Sequence, residues 1–475
     1  MIDSKATPSD KFEETQSHTA GCDIINETPP AEVTKTSSVL NKCETPMQLL
    51  MEKICNRDNL NQAFRRVIKN KGAAGVDGMA TTDLLAWLKD HKDEIVTSLL
   101  GESYRPQHVL RVDIPKAQGG IRQLGIPTCL DRLIQQAILQ VIQPIIDPKF
   151  SNSSYGFRPR RSAQSCVQAA RDMVAEGRIY VVDIDLENFF TRVNHDILMS
   201  RLMRFVGDKR LLRLIRKFLN AGILDNGIVV RCEIGTPQGG PLSPLLANVL
   251  LDELDKELEK RGHKFVRYAD DCNIYVHSKA AAERVLQSIS LWLQSVLRLQ
   301  VNQEKSAASI VDERKFLGYK ITSEAQLCVA KQSIARFRKK VIDVTKRRTP
   351  HNLTEMIASL NPLIRGWLQY FSLAEWRSPF RDLDSWIRQR LRAIRIRQCK
   401  NPRTILRFLI SSGIRGHRAA TIATSGKGAW RLAHTPQVKQ AMPNKWFKRQ
   451  GLVELHELWE TRNRHKISLM EPRGT

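Results

Sequence analysis

Two adjacent carboxylates are the residues of this sequence whose types and spacing most strongly indicate chemistry. Asp270 and Asp271 sit between two runs rich in β-branched and aromatic residues, 263–268 and 272–276. Such flanks favour two strands joined by a tight turn, with both carboxylates at its tip. Adjacent negative charges repel, and Mg²⁺, which prefers oxygen ligands, would neutralise them. The alternative is an exposed polar turn, because Asp is a common turn residue.

A third carboxylate upstream supports the metal interpretation. Residues 178–186 form a second β-branched run, which predicts another strand, and Asp183 and Asp185 lie two residues apart on one face of it. Either carboxylate could meet the hairpin tip. Side by side, the strand and the hairpin would form the acidic cluster of a two-metal phosphoryl-transfer site.

Further motifs could bind phosphate. Lys116 and Arg122 flank a Gly-Gly turn between two short predicted strands over 112–126. Basic residues on such a hairpin can close over a triphosphate, although solvated hairpin charges are the alternative. Gln238 and Gly239 lie in a Gly- and Pro-rich stretch before a predicted helix over 245–260. Glycine lets a ligand approach the backbone, and a helix N-terminus favours phosphate; a capped loop without a ligand is the alternative.

The charge of the chain points to a polyanionic partner. The 475 residues carry a formal net charge of +26. Residues 329–475 hold 31 Lys and Arg against 9 Asp and Glu, whereas residues 1–46 hold 4 against 8. The distribution indicates a strongly basic C-terminal region that binds a polymer, attached to a less basic catalytic region. A generally basic surface is the alternative.

Composition also argues against several classes of protein. The length allows two to four domains with their own cores. No run approaches the roughly 20 apolar residues of a membrane span, and the N-terminus lacks the apolar core of a signal peptide. The 9 cysteines never form a C-x-x-C pair. We therefore expect reduced thiols, a cytoplasmic location, and neither a membrane nor a zinc partner.

Several motifs, in order over about residues 60–410, resemble those of one family. They include N-K-G-A-A-G-V-D-G at 70–78, G-F-R-P-R-R-S at 156–162 and Y-A-D-D at 268–271. The sequence resembles the group II intron-encoded reverse transcriptases, or maturases, of the bacterial type without the H-N-H endonuclease module. The resemblance implies an α+β right-hand polymerase, with fingers, an antiparallel palm, an α-helical thumb or X domain and a basic C-terminal segment.

The resemblance also assigns roles around the acidic cluster. In this family the first metal-binding aspartate lies five residues before an aromatic that screens the nucleotide 2′-hydroxyl. Counting back from Phe190 selects Asp185, so that Asp183 would be structural. Asp185, Asp270 and Asp271 would then hold two Mg²⁺ ions. Lys305 would protonate or neutralise the departing pyrophosphate, with a surface lysine as the alternative.

The resemblance further implies which residues contact substrate. Lys116 and Arg122 would bind the triphosphate of the deoxynucleotide, and Gln238 and Gly239 the nucleotide and template. Two clusters of arginines are expected to face nucleic-acid phosphates. The first lies in the G-F-R-P motif and the second on a thumb helix, and their members are Arg158, Arg160, Arg388, Arg392 and Arg395. Trp367, Tyr370 and Trp386 are expected in the core.

Four regions follow. We expect a disordered acidic extension over 1–46, fingers and palm over 47–328, the X or thumb domain over 329–412, and a basic nucleic-acid-binding segment over 413–475. Helices are expected over 45–70 and 131–146 within the second region.

The expected function is that of an RNA-directed DNA polymerase and maturase. Its partners would be the parent intron RNA, target DNA and a primer strand, in the bacterial or organellar cytoplasm at the nucleoid; a homodimer is left open. Without an H-N-H module, the second-strand primer would come from elsewhere. The alternatives are a splicing-only maturase and a domesticated reverse transcriptase serving phage defence or CRISPR spacer acquisition.

Overall fold

The computed structural model describes residues 49–115, 121–225, 228–230, 235, 239–346 and 352–470. The expected extension over 1–46, Lys116 and Gln238 lie outside the described residues. Two compact units are present. The first runs to Phe150 and resumes over Asn188–Leu250, and the second comprises Ser151–Glu187 and the chain from Leu251 onward.

The described residues form short strands and many helices. The strands are β1 Val109–Pro115, β2 Ile121–Ile126, β3 Tyr180–Ile184, β4 Ile223–Asp225, β5 Ile228–Val230, β6 Lys264–Tyr268, β7 Asp271–Val276, β8 Ala307–Ile310, β9 Tyr319–Ile321 and β10 Leu327–Val329. The helices are α1 Leu50–Cys55, α2 Arg57–Lys69, α3 Leu84–Leu100, α4 Cys129–Ile146, α5 Ala163–Ala175, α6 Phe189–Arg192, α7 His195–Leu202, α8 Lys209–Leu219, α9 Ser243–Lys260, α10 Lys279–Trp292, α11 Lys331–Val344, α12 Leu353–Tyr370, α13 Ser378–Gln398, α14 Pro402–Ser411, α15 Gly416–Ala423, α16 Ala429–Ala433, α17 Pro436–Ala441, α18 Asn444–Arg449 and α19 Leu455–Met470.

The first unit contains a four-stranded sheet in the order β2-β1-β4-β5. Strands β1 and β2 pair antiparallel from Leu110 opposite Ile126 to Pro115 opposite Ile121, which confirms the predicted hairpin. Strand β4 pairs in parallel with β1.

The first helical segment differs from the prediction of a single helix over 45–70. It is divided into α1 and α2 at Asn56, whose side chain accepts a hydrogen bond from the Asp58 backbone N–H. An Asn side chain offers the backbone this partner at a helix N-terminus, so the new cap ends one helix and starts the next. The prediction of one continuous helix was therefore wrong.

The second unit contains a four-stranded antiparallel sheet in the order β6-β7-β3-β8 and a small β10-β9 hairpin. Helices α11 to α14 follow, which confirms the prediction that residues 331–412 are helical. A hydrophobic core joins the sheet, these helices and the C-terminal helices, and it includes Val181, Val266, Leu360 and Trp459. Trp367, Tyr370 and Trp386 pack against this core, as expected.

The structure corrects the prediction of a nucleic-acid face for two arginines of α13. Arg392 is buried and donates two hydrogen bonds to the Met442 carbonyl, at 3.0 and 2.9 Å. Arg388 pairs with Glu454 at 2.7 Å. Helical spacing did place them on one face, but that face packs against the C-terminal segments. Across the described ranges, no helix has both the length and the apolar character needed to cross a membrane.

Candidate active site

The Asp-Asp pair occupies a tight hairpin turn in the second unit. Strands β6 and β7 pair antiparallel, and the last pair joins Tyr268 to Asp271. Ala269 and Asp270 form the two-residue turn, and Ala269 has a left-handed φ of 58°. This geometry places Asp270 at the tip and Asp271 at the first position of β7, as the flanking sequence predicts.

The strand pairing brings Asp185 to the same end of the sheet. Strand β3 lies beside β7, with Ile184 opposite Cys272. Continuing this antiparallel register by one residue places Asp185 opposite Asp271. The two residues therefore lie on neighbouring strands at the same end of the sheet.

A turn before β8 holds the backbone of Asp185 in place. The Asp185 N–H donates to Ser306 Oγ at 2.9 Å, and the Asn302 N–H donates to the Asp185 carbonyl at 2.9 Å. Lys305, in the same turn, places its Nζ 2.9 Å from Asp185 Oδ2. This oxygen is buried and lacks a hydrogen bond of normal geometry, so the ammonium contact is electrostatic.

Asp183 has different surroundings from Asp185. Its Oδ2 lies 3.6 Å from Arg314 Nη1. In the amide orientation that satisfies its hydrogen bonds, Asn273 donates to Asp183 Oδ1 at 3.1 Å. Burial raises the pKa of Asp183 to about 6, against the influence of Arg314. These contacts support the structural role that the family spacing assigns to Asp183.

The carboxylates influence one another strongly. The pKa of Asp271 is raised to about 7 by desolvation first and then by Asp270, Asp183 and Asp185, while Lys305 opposes the change. Asp271 keeps solvent-accessible surface. A bound cation would offset the repulsion from the neighbouring carboxylates and so lower the pKa of Asp271 again.

The donors fit a divalent cation by type and charge. Carboxylate oxygens are the ligands that Mg²⁺ prefers, and Asp185 presents a buried oxygen without a hydrogen bond. In the described part of the chain, however, no three His, Cys, Asp or Glu side chains are gathered closely enough to hold a metal ion. The expected two-metal site therefore stays a prediction.

A buried arginine donates a hydrogen bond to the hairpin turn that carries Asp270. Arg267, in β6, is fully buried and pairs with Asp255 of α9 through two hydrogen bonds of 2.7 and 2.5 Å. It also donates to the Ala269 carbonyl and to Ser154 Oγ, both at 2.9 Å. One guanidinium thus connects α9, the 151–154 segment and the turn that carries Asp270.

The G-F-R-P segment packs directly against the same turn. A Cβ at Gly156 would clash with the backbone of Ala269, so only glycine fits there. Arg158 of this segment is buried and donates to the carbonyls of Ser151 and Ser154, at 2.5 and 3.0 Å. Its predicted contact with phosphate is therefore wrong, because its guanidinium fixes a loop. Arg160 is exposed and keeps its role as a prediction.

The remaining predicted site residues belong to the first unit. Phe190 lies in α6, half-buried, with its ring edge-on to Phe189 at 5.1 Å between centroids. Gly239 has a φ of 142°, and a Cβ there would clash with the Gly125 carbonyl. The backbone of Arg122 lies in β2, opposite Ile114. The substrate contacts of these residues stay predictions.

Sequence reasoning missed Arg267, Asp255, Asn302 and Ser306. The signal for Arg267 was a charged residue inside an apolar strand run, since a buried charge needs a partner. Asn302 could have been recognised as a turn residue, because Asn is common in turns. In the structure its Oδ1 accepts hydrogen bonds from the backbone N–H groups of Glu304 and Lys305. No local pattern identifies Asp255 as the partner of Arg267.

Comparison with known proteins gives the family. Residues 114–321 match the reverse transcriptase (RNA-dependent DNA polymerase) family, and residues 334–409 match the group II intron maturase-specific domain. Protein YkfC of Escherichia coli is 32% identical over 317 residues, which cover 58% of this chain and 83% of YkfC. The chain belongs to the group II intron-encoded reverse transcriptases.

A second curated relative agrees with this assignment, and a solved structure shows partial similarity. The group II intron-encoded protein LtrA of Lactococcus lactis is 28% identical over 372 residues, which cover 64% of this chain and 60% of LtrA. A partial Cas6-RT-Cas1–Cas2 complex aligns with 52% of this chain and 42% of its own, at 27% identity and a TM-score of 0.35. The described helices and strands confirm the predicted α+β fold class, and the family match over residues 114–321 identifies it as that of a reverse transcriptase.

Proposed function

We propose that this reverse transcriptase copies its parent intron RNA into DNA and assists the splicing of that RNA. The observation that carries the proposal is the convergence of Asp185 with the Asp270-Asp271 turn on neighbouring strands of one sheet. The reverse transcriptase and maturase-specific matches occur in one chain, which supports the combination of polymerisation with intron binding.

Asp185, Asp270 and Asp271 would hold the divalent cations that this family uses, with Mg²⁺ as the proposed ion. When bound, a cation pair lowers the barrier by stabilising charge on the attacking and leaving oxygens. Two contacts would position these carboxylates. Arg267 donates to the Ala269 carbonyl in the turn, and Ser306 Oγ accepts from the Asp185 N–H. Lys305 is exposed and contacts Asp185, and it would donate a proton to the departing pyrophosphate.

The first unit would bind the incoming deoxynucleotide. Lys116 and Arg122 would contact its triphosphate from the β1–β2 hairpin, and Gln238 and Gly239 would contact the nucleotide and template. Phe190 would exclude a 2′-hydroxyl.

The helical region and the basic C-terminal segment would bind the intron RNA and target DNA. Their 31 Lys and Arg against 9 acidic residues over 329–475 support a polyanionic partner. The match to the maturase-specific domain over 334–409 favours intron RNA as that partner. Binding would weaken steeply with salt, because each neutralised phosphate releases counterions.

An Asp270→Ala variant tests the two activities separately. We expect it to lose primer extension on an RNA template and to keep the ability to promote splicing of the intron RNA encoded around its gene. Equal primer extension by the variant and the wild type would overturn the catalytic assignment. A wild-type protein that promotes splicing without extending a primer would instead favour a splicing-only maturase.

A further inference from the structure

A basic pocket lies at the end of the palm sheet remote from the acidic cluster. It has a volume of about 620 Å³ and is lined by the start of β6, the end of β7, the approach to β3 and one side of α10. Strand β7 runs from Asp271 to Val276, and five residues of strand span about 17 Å. The pocket is therefore separate from the carboxylates of the candidate active site.

Four permanent cations line this pocket, and no Asp or Glu does. They are Arg178, Arg261, Lys264 and Arg284. Two have acidic neighbours, since Arg178 pairs with Glu176 and Arg261 with Glu257 at 2.7 Å.

Lys264 and Arg284 are the two whose charge is least compensated. Across the described ranges, neither has a carboxylate within ion-pair distance, and both are exposed. Arg284 makes one hydrogen bond, to the Ala280 carbonyl at 3.3 Å. An uncompensated cation pair facing one cavity favours an anionic ligand.

Two further features suit phosphate. His263 and His277 also line the pocket, and a ring N–H of each could donate a hydrogen bond to phosphate. Helix α10 begins beside His277 with Ser278 as its cap, and it has 14 residues. The N-terminus of such a helix carries partial positive charge and attracts phosphate.

We propose that this pocket binds phosphate groups of an RNA strand that runs outside the catalytic cleft. Lys264 and Arg284 are long, exposed side chains from separate elements, which suits a backbone that crosses the surface better than a small ligand that must be enclosed. The proposal rests on the proposed function for the identity of the RNA as the parent intron RNA.

The test compares Lys264→Ala/Arg284→Ala with the wild type in the full-length protein. Binding of a fluorescent RNA duplex is measured as a function of salt between about 50 and 200 mM. We expect the slope of log affinity against log salt to fall by about 1–2, because each lost phosphate contact contributes about 0.9. Primer extension on a template long enough to fill only the cleft should stay within twofold of the wild-type rate.

Lys279→Ala is the matched control for Arg284→Ala. It removes one positive charge from the same helix, but Lys279 faces Glu283 at 3.9 Å and does not line the pocket. The control should retain the wild-type salt slope. An equal loss in the control, or an unchanged slope in the double variant with an unchanged melting temperature, would overturn the proposal.

Two further measurements distinguish a free polyphosphate ligand from RNA, and failure of this proposal from failure of the proposed function. Tripolyphosphate binding that is lost in Lys264→Ala/Arg284→Ala, while RNA binding by that variant keeps the wild-type salt slope, would assign the pocket to a free polyphosphate and overturn the RNA proposal. Absence of primer extension in the wild type would contradict the proposed function alone, because the duplex-binding measurement requires no catalysis.

Discussion

Asp183 and Asp185 have equally exposed side chains, at 24% each, so their partners rather than their burial distinguish them. Asp183 is paired with Arg314 and accepts a hydrogen bond from Asn273, whereas Asp185 lies opposite Asp271 and its Oδ2 contacts the exposed ammonium of Lys305. We predict that Asp185→Asn lowers the single-turnover rate of primer extension by at least about 100-fold, the usual cost of losing a group that stabilises transition-state charge.

Asp183→Asn is the matched control for this prediction. It removes one carboxylate two residues away and retains one acceptor oxygen that can face Arg314. Its extension rate should stay within about tenfold of wild type, a change of 1.4 kcal/mol in the barrier. If the two variants lost the same activity, the distinction between these aspartates would be wrong.

Lys305 is 64% exposed and contacts Asp185. An exposed ion pair contributes about 0–1 kcal/mol to stability, so Lys305→Ala should barely change the melting temperature. A proton donor to the leaving group is worth about 100-fold or more. We therefore predict a fall in the maximal extension rate of about that size at saturating deoxynucleotide.

Lys305→Arg keeps the charge but donates a proton poorly, because a guanidinium stays protonated. Any deoxynucleotide affinity lost in Lys305→Ala should therefore return in Lys305→Arg, whereas the maximal extension rate should stay low. Full recovery of the rate by arginine would show that Lys305 acts through charge alone.

At the scale of the elements, the buried pair of Arg267 and Asp255 joins β6 to α9 and supports the catalytic turn. Removing one partner leaves an uncompensated buried charge, which costs about 3–5 kcal/mol. We predict that Arg267→Met lowers the free energy of unfolding by this amount, measured by denaturant titration. Arg261→Met is the control, because its pair with Glu257 one helical turn away remains partly exposed and should contribute about 0–1 kcal/mol.

The double variant Arg267→Met/Asp255→Leu separates stability from positioning. Replacing both charges with apolar groups should restore most of the stability. Primer extension should stay low, because the Ala269 carbonyl and Ser154 still lack their donor. Recovery of both properties would mean that Arg267 does not position the turn.

The elements around the site were largely predictable from sequence, because each depends on a local pattern. Alternating β-branched residues predicted β3, β6 and β7, and the tight turn followed from their spacing. Asn56 could in principle have been recognised as a cap within the first helical segment.

What the sequence could not provide was the partner of each buried charge. Arg267 meets Asp255 and Arg392 meets the Met442 carbonyl only because the chain folds back on itself. Helical spacing grouped Arg388 with Arg392, but it did not show whether solvent or another helix covers that face. The contacts of a charged face depend on tertiary packing, which no local periodicity encodes.

At the scale of the whole molecule, the basic residues over 329–475 fall into two groups. One group is held by contacts within the protein, and the other is exposed and available to nucleic acid. Arg388 and Arg392 belong to the first group, since they are held by Glu454 and the Met442 carbonyl. Lys400 and Arg407 belong to the second. They line an open cleft of about 480 Å³ beside α14.

This division predicts the salt dependence of RNA binding. Lys400→Ala/Arg407→Ala should lower the slope of log affinity against log salt by about 1–2, since each lost phosphate contact contributes about 0.9 for a duplex. Arg388→Gln should leave the slope unchanged and lower the melting temperature, because it leaves Glu454 half-buried beside one fewer cation. The opposite pattern, a reduced slope for Arg388→Gln only, would restore the original face of α13 as the RNA-binding surface and exclude the cleft beside α14.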